Sequence, residues 1–144
     1  MNFYFMKRSM EEQSQQPQIF VFWIMWFAIL CGIFIIQFAI GGGIPTGSDS
    51  GDAPSLPLIL AIVPAIASFA IRFILIPKAS ELVKLLPLMI IGLALAESVG
   101  LLGLFLMPAE FPHTKLVLFA TSVFCILVYA PVYASAVIKR EEVR

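Results

Sequence analysis

Four long apolar runs separated by short polar stretches set the pattern of this chain. Residues 19–40, 56–76, 85–107 and 116–138 each come close to the roughly 20 apolar residues that carry a helix across the hydrocarbon of a bilayer. Inside lipid every backbone N–H and C=O must be satisfied within the protein, so runs of this length are predicted to be helices. The connections are short: 41–55 (GGGIPTGSDSGDAPS) is rich in Gly, Pro, Ser and Asp, 77–81 (PKASE) is a tight turn, and 107–114 (MPAEFPHT) carries two prolines that stop helix propagation. Short links return the chain beside the element it has just left. The expected fold is therefore an all-α membrane protein, a single-domain antiparallel four-helix transmembrane bundle, preceded by a polar tail over residues 1–18.

Finer periodicities give the runs faces. In 85–107, Ala94, Glu97, Ser98 and Leu101 fall on one side at helical spacing, and Gly92, Ala96, Gly100 and Gly103 form a neighbouring groove of missing side chains. Ala61, Ala65 and Ser68 mark a close-packing stripe in 56–76, where the interior Pro64 predicts a kink. In 116–138 Ser122, Cys125, Tyr129, Tyr133 and Ala136 share a stripe that should turn toward protein, and Pro131 is expected to free the carbonyl of Leu127. Run 19–40 is bulkier, with Trp23 and Trp26 toward one end, Ala28 and Gly32 as a small-residue pair, and Gln37 as a candidate hydrogen-bonding side chain. Residues 1–40 do not read as a cleaved signal peptide, since the apolar run exceeds a typical signal core and acids accompany the bases of the tail.

Composition agrees with a bilayer protein: 60% of the 144 residues are hydrophobic and 12% charged. The basic residues are unevenly placed. Lys7, Arg8, Arg72, Lys78, Lys84, Lys139, Arg140 and Arg144 fall at one side of the bundle and Lys115 alone at the other, so both termini are expected in the cytoplasm. Glu11, Glu12, Glu141 and Glu142 interleave with the bases and the formal net charge is zero, which leaves no polybasic surface for nucleic acid. The bilayer is the expected partner, with other membrane subunits or self-association beside it, and the expected location is the inner (plasma) membrane of a bacterium.

Candidate chemistry is sparse. The triple glycine at 41–43 is followed by no P-loop lysine, and Asp49 and Asp52 lack calcium-loop spacing, so 41–55 reads as an irregular, mobile linker. Glu110 with His113 supplies too few ligands for a metal, and Cys31 and Cys125 read as packing thiols inside spans. No cofactor, metal site or catalytic pair is expected, and the chain is not expected to be an enzyme.

Glu97 stands out as an acid near mid-span. Placing a carboxylate at a helix centre costs about 3 kcal/mol on insertion scales, so it is expected to keep its proton, face inward and hydrogen-bond. Depth counted from the span ends predicts Ser68, Tyr129 and the Leu127 carbonyl as partners, with Ser98 alongside. Arg72, one turn from the cytoplasmic end, is expected to snorkel to the interface rather than pair with Glu97.

Residues 89–98 (MIIGLALAES), continued by Gly100 to Leu106, resemble the ion-carrying second helix of subunit c, the proteolipid of F-type rotary ATP synthases, and 56–107 resembles its hairpin. The helix segment that carries the likeness, 89–106, covers under a third of the chain. The resemblance implies a proton or sodium site on Glu97 and a cytoplasmic loop before that helix. The sequence therefore leads to a non-enzymatic accessory or packing subunit with Glu97 as a hydrogen-bond node, and, as the alternative, to a proteolipid-like translocator in which Glu97 binds the ion.

Overall fold

The computed structural model describes the backbone of residues 2–79 and 82–134, with side chains over 19–79 and 83–134. Ser80 and Glu81 in the connection before the third run, the last residues of the fourth run including Ala136, and the charges at Lys139, Arg140, Glu141, Glu142 and Arg144 lie outside the described residues. So do the side chains of Lys7, Arg8, Glu11 and Glu12.

The described chain is all helical: α1 (Asn2–Ala39), α2 (Ser55–Ala70), α3 (Leu82–Leu106) and α4 (Pro112–Val128), with no strand among the described residues. A π-helical turn (Ile71–Leu75) and a 3-10 turn (Ile76–Lys78) extend α2, and a 3-10 turn (Pro131–Tyr133) follows α4. Four segments are long and apolar enough to cross a membrane: Ile19–Ala39, Ser55–Lys78, Val83–Leu106 and Pro112–Tyr133. At helical rise their 21 to 24 residues span about 32–36 Å, enough for a hydrocarbon layer of about 30 Å.

Three features differ from the sequence pattern for local reasons. Helix α1 continues back through the polar tail to Asn2, across a stretch rich in Met, Glu, Gln, Lys and Arg, all good helix formers. Pro131 ends α4 instead of kinking it. Ala130, the residue before that proline, is extended (φ −47°, ψ 127°), and the Ala130 N–H closes back on Leu127 at 3.0 Å, so the Leu127 carbonyl is not left free. Finally, α2 widens into the π turn where Arg72 sits.

Helix α3 is the centre of the packing, with α2 and α4 against it and α1 resting on α3 and α4. Helices α3 and α4 are more buried than α1 and α2, and α1 makes the sparsest contacts with the other helices, so α1 is the peripheral element. One buried cluster gathers Phe22, Ile33, Leu85, Met89, Phe119 and Ile126; a second, between α2, α3 and α4, holds Ala61, Val99, Met107, Phe111 and Leu118. Trp26 reaches across to donate to the Ile126 carbonyl at 2.8 Å, so its indole joins helices instead of serving only as an interface anchor.

The glycine-rich connection 40–54 is irregular but docked. The Asp49 carboxylate accepts from the His113 N–H (2.8 Å), from the Thr114 N–H (3.2 Å) and from the Thr114 hydroxyl (2.6 Å). It thus caps the first turn of α4, whose own N-cap residue Phe111 has no capping side chain. These bonds to Thr114 and His113 hold the Asp49 carboxyl below the usual aspartate range. Ser50 adds its N–H and hydroxyl to the Glu110 carbonyl, at 3.2 and 3.1 Å.

Candidate functional site

The glycine groove of α3 is filled by α4. A Cβ placed on Gly103 would lie 2.8 Å from Leu118 and one on Gly100 3.0 Å from Ser122, and one on Gly92 would collide with the Tyr129 ring and hydroxyl. Opposite Ala96, the Ser122 hydroxyl donates to the Ala96 carbonyl at 2.8 Å and is itself fully buried. The missing side chains at Gly92, Ala96, Gly100 and Gly103 let the two backbones approach, and Leu118, Ser122 and Tyr129 occupy the space.

Ser68 and Tyr129 meet at the Gly92 end of this groove. The Tyr129 hydroxyl donates to the Ser68 carbonyl at 2.6 Å, and the Ser68 hydroxyl donates to the Gly92 carbonyl at 3.0 Å. Both residues are 1% exposed. This chain of bonds ties α4 to α2 and α2 to α3 with every hydroxyl satisfied, which is what a buried polar network in an apolar setting requires. Ser98 is not part of it; its hydroxyl donates to the Leu95 carbonyl of its own helix at 2.7 Å.

Glu97 lies elsewhere. Its carboxyl is directed at α1, where a Cβ on Gly32 would sit 3.9 Å from its Oε1. It is half-buried, and among the described residues it makes no hydrogen bond or ion pair. The reason is angular: at 100° per residue, Glu97 is about 140° around α3 from Gly92, so the side that receives Ser68 and Tyr129 is not the side that carries the carboxyl. Similar depth placed these groups together in the sequence argument, and rotation about the helix axis separates them. Along α3 the carboxyl is about 14 Å from Leu106 and about 22 Å from Leu82, well inside the span.

Arg72 neither reaches Glu97 nor extends outward. Its Nε donates to the Val128 carbonyl at 2.8 Å and its guanidinium covers the Tyr133 ring at 4.3 Å. The broken helix end explains the acceptor: the Val132 N–H bonds to Ala130 at 2.8 Å instead of reaching back to Val128, so that carbonyl is open to a side chain. The Tyr133 hydroxyl is buried and finds no partner among the described residues. Pro131 was the sequence signal for an exposed carbonyl here, and only the helix-ending geometry moves it from Leu127 to Val128.

Gln37 is 4% exposed and donates to the Gly43 carbonyl at 2.7 Å, holding the glycine turn against the end of α1. Cys31 and Cys125 are free thiols, and no group of three or more potential metal ligands forms among the described residues. The candidate site is thus the Glu97 carboxyl at the α1–α3 seam. Compared with known proteins, the chain matches no family model, no curated protein and no solved structure.

Proposed function

We propose that this chain is a non-enzymatic subunit of a membrane system, in which Glu97 binds and releases a proton or sodium ion at the seam between α1 and α3. The observation that carries this reading is a half-buried mid-span carboxyl facing the gap at Gly32 with no hydrogen-bond partner among the described residues. An acid that serves only to hold a bundle together is expected to be saturated with internal hydrogen bonds, as Ser68, Ser122 and Tyr129 are. One left open toward the peripheral helix has room for a proton, a cation or water. The resemblance of residues 89–106 to the ion-carrying helix of subunit c points to the same residue. The glycine groove beside it is taken up by α4 of the same chain, so ring assembly through that groove is not part of the proposal.

In this reading the four helices alternate in direction, both termini are cytoplasmic, and the membrane is the bacterial inner membrane, with self-association or neighbouring subunits completing the seam. The supporting argument for orientation is the positive-inside distribution, with Lys115 alone on the far side.

The test is dicyclohexylcarbodiimide labelling of the full chain in liposomes, read by mass spectrometry, together with dye-reported proton flux. Glu97 should be modified, with protection by sodium or alkaline pH, and Glu97→Gln should abolish flux while melting like the wild type. Unchanged flux in Glu97→Gln sinks the proposal. A marked fall in melting temperature in Glu97→Gln and Glu97→Leu alike would return Glu97 to a structural role.

A further inference from the structure

We propose that the outer end of the bundle carries a binding site for a small anion, a carboxylate or phosphate group, centred on Lys115. The docked glycine turn forms one wall of a half-open cavity of about 240 Å³ between the end of α1, the end of α3 and the start of α4. Its polar lining comes from Gln37, Thr46 and Lys115, and its apolar walls include Ile44, Leu104 and Pro112. No acidic side chain lines it among the described residues.

The charge lining the cavity defines the ligand: Asp49, Asp52 and Glu110 also lie at this end of the bundle, and none of them lines it. Lys115 is the one basic residue that the charge pattern assigns to this side of the bundle, and it is half-buried in the cavity wall. Its side chain is part of the lining, so its ammonium is the charge that a ligand in the cavity would meet. Lys115 makes no ion pair or side-chain hydrogen bond among the described residues. Asp49 is committed to the first turn of α4 by three short bonds, to His113 N–H, Thr114 N–H and the Thr114 hydroxyl, and it does not line the cavity. The Glu110 carbonyl is held by Ser50, and the Glu110 side chain is exposed outside the cavity. The cavity therefore offers one uncompensated positive charge, a buried amide, a hydroxyl and apolar walls.

That combination selects a singly or doubly charged small group rather than a cation, and the volume admits a headgroup-sized molecule, below the range of about 300–1,000 Å³ usual for drug-sized ligands. The glycines shape this wall. Gly42 and Gly43 adopt φ of 74° and 106°, and a Cβ on Gly41 would meet the Gln37 carbonyl at 2.5 Å and Leu104 at 2.8 Å. A P-loop lysine is absent from the sequence after these glycines, but the fold brings Lys115 to them from the first turn of α4. The site does not depend on the role proposed for Glu97.

The experiment is calorimetric titration of the full chain in a neutral detergent with sodium phosphate, sodium acetate and dihexanoyl phosphatidylglycerol, using dihexanoyl glycerol as the uncharged control. Saturable binding of at least one anion is expected, weakened by about tenfold in Lys115→Met and retained in Lys115→Arg. Binding of phosphate or acetate assigns the ligand to solution; binding of phosphatidylglycerol alone assigns it to a lipid headgroup. Ala109→Trp, which fills the cavity from an exposed lining position, should lose binding without a change in melting temperature and serves if Lys115→Met does not fold. Absence of saturable binding to all three anions, or equal binding by wild type, Lys115→Met and Ala109→Trp, overturns the proposal.

Discussion

At the scale of single residues, the strictest demand falls on Gly92. A methyl group there would occupy the space of the Tyr129 ring and hydroxyl, so Gly92→Ala must displace Tyr129 and break its bond to Ser68. Tyr129→Phe removes only that bond, and interhelical hydrogen bonds in membranes average about 0.6 kcal/mol, so its cost should be near that value. Gly92→Ala combines lost packing with the lost bond and should cost about 1–3 kcal/mol. Melting curves in detergent check the order: Gly92→Ala below Tyr129→Phe, and Tyr129→Phe only slightly below wild type. Equal melting of Gly92→Ala and wild type would mean that α4 does not occupy the groove at that level. Glu97 contrasts with these residues, because its carboxyl holds no partner within the described bundle.

At the scale of elements, the first turn of α4 depends on a side chain from a distant connection. Asp49 supplies the cap that Phe111 does not, which makes the glycine-rich loop part of the helix end. Asp49→Ala should leave the His113 and Thr114 amides without acceptors, and hydrogen exchange at those two amides should accelerate relative to wild type. The same contact is sensitive to acid. The folded pKa of Asp49 lies below its unfolded value of about 3.9, so the capping contribution is present above that value and is lost as pH falls through the lower, folded value. Loop protection should therefore hold from neutral pH down to about 4 and fall below it, whereas Asp49→Asn should show no such acid step. A sequence reading of 41–55 as a mobile linker captured its irregular backbone but not its docking, since neither Asp49 nor Thr114 signals a partner more than sixty positions away.

At the scale of the whole molecule, the topology is open to direct measurement. A cysteine introduced at the exposed Ser48, in the connection before α2, should react with a membrane-impermeant maleimide added to intact cells. One introduced at the exposed Lys78 should react only after permeabilisation. The reverse pattern would overturn the proposed orientation and place the Lys115 cavity on the cytoplasmic face. The packing also sets an expectation for association: α1, the peripheral helix and the one facing the open side of Glu97, is the helix on which a neighbouring subunit would act most directly.

The sequence by itself determined the membrane class, the four spanning helices to within a few residues at most ends, and the small-residue groove of Gly92, Ala96, Gly100 and Gly103. These are local properties, because about 20 consecutive apolar residues and a spacing of three or four can be read without knowing any neighbour. Only the tertiary structure decided which helix fills the groove, which side of α3 carries Glu97, which carbonyl receives Arg72, and that Lys115 joins the glycine turn at one cavity. Lipid is as apolar as leucine, so hydrophobicity does not assign one apolar helix face to protein and another to lipid. That choice rests on shape and on rotation about each helix axis, and at α3 about 140° of rotation divides a satisfied hydrogen-bond network from an open carboxyl.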